Sequence, residues 1–139
     1  MRTNETGFTL IELIAVIILI GIMSVTLFSR LGTISSTNIQ AGRDDLIAAL
    51  FFAQQTAMAR STNNIQVIIT ANAVSVTESN TPLVVHDKGY PLNFPTGVTA
   101  TPFTFTYDKL GRTSGGNIVL SASGGQSAIV VLEASGYAH

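Results

Sequence analysis

One carboxylate stands inside the longest apolar stretch of the chain. Glu12 lies in Gly7-Phe8-Thr9-Leu10-Ile11-Glu12-Leu13-Ile14, and the run continues, almost wholly apolar, to Phe28. At 1.5 Å rise per residue, a helix of about 20 residues matches the roughly 30 Å hydrocarbon layer of a membrane. A carboxylate at membrane depth costs about 2.5–3.5 kcal/mol and is read by default as functional. Glu12 sits only about a turn into the run, where that cost is smaller. Its chemistry is that of an anion in an apolar setting.

The remaining residue constellations do not assemble a reaction centre. His86-Asp87 imitates a catalytic pair, but no nucleophile is placed beside it, and a polar loop dipeptide is the simpler reading. His86 and His139 have no partners at metal-ligand spacing. Ser123-Gly124-Gly125-Gln126-Ser127 lacks the Lys-Ser/Thr ending and the helix of a phosphate loop. Residues 108–117 have neither the alternating Asp/Asn ligands nor the closing Glu of a calcium loop. The chain has no cysteine, which removes disulfides and thiolate metal sites. We therefore expect no enzyme, no catalytic residue, no cofactor and no metal.

The elements that position Glu12 follow from the pattern around it. With 139 residues there is room for one small domain beside a membrane segment. No proline interrupts residues 8 to 60, so one helix can run from the apolar stretch into water. Gly21 and Gly32 are its weak points, each costing about 1 kcal/mol against Ala. From Ile39 the pattern turns amphipathic. Ile39, Leu46, Leu50, Ala53 and Ala57 form a stripe that Ile47, Phe51 and Met58 widen, with Arg43 snorkelling at its edge. Docking of that stripe on a following sheet is expected. Phe52, among small residues on the other side, suits packing against a neighbouring helix.

After residues 61–64 the period changes from 3.6 to 2. Residues 65–70 and 73–77 read as two strands around an Ala71-Asn72 turn, and Leu83-Val84-Val85-His86 as a third. Pro82, Pro91, Pro95 and Pro102 punctuate the middle, and 87–101 reads as a loop with short strands. Residues 103–107, 117–121 and 128–132 are further strands, with Gly115-Gly116 and Gly124-Gly125 as turns. The fold class is α+β: a long N-terminal helix, membrane-spanning in its first half and amphipathic in its second, packed on a C-terminal antiparallel sheet or sandwich. The expected division is 1–7 leader, 8–33 transmembrane half-helix, 34–61 amphipathic half-helix and 62–139 β-rich domain.

Gly7-Phe8-Thr9-Leu10-Ile11-Glu12, with a polar leader before it and the apolar run behind, resembles the class III signal of type IV pilins and type II secretion pseudopilins. The resemblance implies a pilin-like fold. It also implies that a prepilin peptidase cuts after Gly7 and N-methylates Phe8, the new first residue, and that Glu12 acts in assembly. The new Phe8 amine is a cation, and in a filament it can reach Glu12 of a neighbouring subunit, removing two costly unpaired charges. A secretory signal, by contrast, would carry a small-x-small cleavage site behind its apolar stretch, and none follows here.

The second half carries a weaker likeness. Phe105-Thr106-Tyr107-Asp108, Gly111-Arg112, Gly115-Gly116, Ile118-Val119-Leu120, Ile129-Val130-Val131 and Ser135-Gly136 resemble the minor pseudopilin H and FimT-like group, and with the leader also the C-type minor pilins of mannose-sensitive haemagglutinin pili. The absence of cysteine favours a minor subunit. These likenesses imply a minor pilin that primes assembly of, or sits at the tip of, an adhesion-type type IV pilus. Its partners would be other pilin subunits, the prepilin peptidase, inner-membrane lipid and the pilus assembly platform. It would cross the inner membrane once, with its C-terminal domain periplasmic, before entering a pilus or pseudopilus. A type II secretion pseudopilin is the alternative. A third reading, DNA capture, calls for a basic surface. Without Arg2 and Glu5 of the leader the chain keeps six basic against seven acidic residues, which argues against a nucleic-acid partner.

Overall fold

The computed structural model describes residues 9–60, 64–85 and 88–139, with the backbone alone at 26–35, 85 and 88. Its elements are a helix α1 (Leu10–Arg60) followed by ten strands: β1 (Ile65–Ile69), β2 (Ala73–Glu78), β3 (Thr81–Pro82), β4 (Val84–Val85), β5 (Lys88–Gly89), β6 (Leu92–Asn93), β7 (Val98–Ala100), β8 (Phe103–Tyr107), β9 (Gly116–Ala122) and β10 (Ser127–Leu132). The chain divides into two compact units, Met1–Ile34 and Ser35–His139.

In the first unit, the described side chains from Leu10 to Val25 are exposed on every side of the helix, including Leu10, Leu13, Ile17 and Ile20. A helix apolar all round is one that lipid or other protein must cover. Ser24 satisfies its hydroxyl within the helix, donating to the Ile20 carbonyl at 2.7 Å. Among the described residues, no helix is long and apolar enough to cross a membrane. The apolar run expected to span from residue 8 is described with side chains only over 10–25, about 24 Å of helix against the roughly 30 Å required.

In the second unit, the helix buries Ile39, Gly42, Leu46, Ala49, Leu50, Ala53, Thr56 and Ala57. The three- and four-residue spacing puts them on one face. Small residues on that face let the sheets come close: a β-carbon on Gly42 would stand 3.3 Å from Val98 and 3.4 Å from Leu120. Thr56 is buried without penalty because its hydroxyl donates to the Phe52 carbonyl at 2.7 Å. Arg43 lies half-buried at the edge, 4.0 Å from Asp44.

Two expectations for this helix are corrected. Phe51 and Met58 do not join the buried stripe and stay 56% and 48% exposed. They sit one position from buried Leu50 and Ala57, and a 100° step per residue carries them out of the contact. Phe52, expected to meet a neighbouring helix, is half-buried and stacks on Tyr90 of its own chain, with ring centroids 5.9 Å apart.

All strand pairings are antiparallel. The first sheet has the order β3-β2-β1-β8, with β6 also on β2; the second is β10-β9-β7; β4 and β5 form a separate pair. Alternation decides the faces. In β1, Ile65, Val67 and Ile69 point inward, beside Val74 and Val76 on β2 and Phe105 and Tyr107 on β8. The second sheet contributes Val98, Ala100, Ile118, Leu120, Val130 and Leu132. Both sheets and the helix share one core. Pro82 sits in the sheet's edge strand β3, where a missing N–H is tolerated. The third expected strand shortens to Val84–Val85, and His86-Asp87 lies outside the described residues.

Candidate functional site

Glu12 occupies the first turn of α1. Thr9 precedes the helix, and its carbonyl accepts the main-chain N–H groups of Glu12 at 3.1 Å and Leu13 at 3.2 Å. This places Thr9 at the N-cap and Glu12 three positions in, where the helix macrodipole favours an anion by about 0.3–1 kcal/mol. The Glu12 carboxylate is exposed and has no ion-pair or hydrogen-bond partner among the described residues. Its neighbours Leu10, Ile11 and Leu13 are 76%, 72% and 60% exposed. The result is a single anion on an apolar surface, placed beside main-chain donors at a helix start. Gly7 and Phe8 lie outside the described residues.

The second unit gathers the residues of the weaker likeness around Gln54, which sequence reasoning missed. Its side-chain amide donates to the carbonyls of Gly111 at 3.2 Å and Ser135 at 3.0 Å. One helix side chain therefore ties the β8–β9 connection to the turn after β10. Gly111 has φ +73°, and a β-carbon there would meet Gln54 at 2.9 Å and Met58 at 3.1 Å. Gly136, at φ +87°, is more confined, since its β-carbon would stand 2.0 Å from the Gly111 carbonyl. Glycine is needed at both for conformation and for space.

Asp108 organises the turn that presents Gly111. Its carboxylate accepts the N–H groups of Leu110 and Arg112, both at 2.9 Å, and the Arg112 guanidinium at 2.9 Å. The Arg112 main-chain N–H is the largest influence lowering its pKa; desolvation opposes this, and the Arg112 side chain and Leu110 N–H add to the lowering. Burial pushes the phenol of Tyr107 well up and that of Tyr90 up. At the far end of the helix, Arg60 pairs with Glu78 on β2. Among the described residues no His, Cys, Asp or Glu cluster could hold a metal. The Asp108, Gln54 and glycine contacts are structural in kind: they hold loops and place no reactive atom.

The described residues form a helix whose apolar start carries one anion and a small antiparallel β domain packed on its second half. Residues 2–28 match the prokaryotic N-terminal methylation motif. The fold is similar to that of the type IV minor pilin FimU of Pseudomonas aeruginosa, with 12% identity, a TM-score of 0.56, and coverage of 75% of this chain and 88% of that one. No curated protein matches the chain by sequence. The chain thus carries the N-terminal methylation motif and has a fold similar to that of a type IV minor pilin.

Proposed function

We propose that this protein is a minor pilin of a type IV pilus, an adhesion-type fibre in which it primes assembly or occupies the tip. It enters the inner membrane through residues 8–33, with 34–61 as the amphipathic half of its helix and 62–139 as its periplasmic domain. The prepilin peptidase removes 1–7 by cutting after Gly7 and methylates the Phe8 amine. Glu12 then pairs with the N-terminal amine of an adjoining subunit, and the lipid anchor becomes filament core.

The observation that carries this reading is the Gly7-Phe8…Glu12 signature inside the matched motif, whose Glu12 opens a helix with apolar side chains exposed on every described side. A membrane supplies the first cover for such a helix and neighbouring subunits the second, and only the second offers Glu12 a cation. The protein has no catalytic role in this scheme. The type II secretion pseudopilin remains the second reading, supported by the strand-and-glycine pattern from Phe105 to Gly136.

Mass spectrometry of the protein from cells with and without the peptidase tests the processing. A chain starting at N-methyl-Phe8 is expected only when the enzyme is present, and an unprocessed chain in both would overturn the reading. Loss of surface pili on deletion supports the pilus assignment, whereas blocked exoprotein release with intact pili supports the pseudopilus.

A further inference from the structure

We draw no further inference here: the strongest candidate, the exposed apolar patch of Phe51, Met58 and Leu110 on the outer side of the helix and the turn beside it, carries nothing because nothing in the structure shows what covers it.

Discussion

A β-carbon added to Gly136 would lie 2.0 Å from the carbonyl oxygen of Gly111. Two turns separated by 25 positions in the chain touch there with no space for a methyl group, and Gln54 ties both to the helix. Backbone atoms cannot yield as a flexible side chain does. Gly136→Ala must therefore open this junction as well as strain a residue at φ +87°. We expect a loss of about 2–4 kcal/mol in unfolding free energy by denaturant titration. A change under about 0.5 kcal/mol, the range of ordinary surface substitutions, would show the junction to be unimportant.

Gln54→Ala deletes the donor that the Gly111 and Ser135 carbonyls share. The Gly111 contact is partly buried and the Ser135 contact exposed, so water recovers part of the loss. A destabilisation of about 1–2 kcal/mol is expected. Amide exchange should accelerate most in residues 108–115 and 133–137, since these loops lose their common tie while the strands keep their ladders.

The Asp108 carboxyl has its pKa lowered by hydrogen bonds it receives only in the folded turn. The sign follows: a depressed folded pKa contributes stability that is complete above the unfolded value near about 3.9 and is lost as pH falls through the folded value. Acidification below about pH 4 should loosen the 108–112 turn, read by chemical shifts of the Leu110 and Arg112 amides. Asp108→Asn should remove that pH dependence from those two amides.

Glu12→Ala tests the proposed pairing. The variant should insert into the membrane and be processed after Gly7, because the apolar run and cut site are unchanged. It would leave a neighbour's Phe8 amine unpaired in an apolar setting, a cost of about 3–5 kcal/mol. Incorporation into purified filaments should fall by roughly a hundredfold or more. Normal incorporation would refute the assembly role of Glu12.

Much of this architecture could be read from local pattern. The strand pairs around Ala71-Asn72 and Gly124-Gly125 were legible because β1 and β2, and β9 and β10, alternate with period two and are joined by short turns. The helix stripe through Leu46, Leu50, Ala53 and Ala57 was legible for the same reason at period 3.6. Its lateral limits were not: Phe51 and Met58 are as apolar as their buried neighbours, and only the shape of the facing sheets leaves them in solvent. Phe52 was misplaced because nothing local links it to Tyr90, almost forty residues on.

The same division separates the two sites. Gly7-Phe8…Glu12 is a short linear pattern, so residue order and type alone specify the methylation motif and the anion in the apolar run. Nothing in the order of residues joins β1 to β8, or Gln54 to Gly111 and Ser135. Glutamine and glycine are compatible with many surroundings, and their roles emerge only when distant segments close around them. Local residue order therefore carried the methylation motif in the first residues of the chain, while chain closure over long separations decided the β domain and its Gln54 tie.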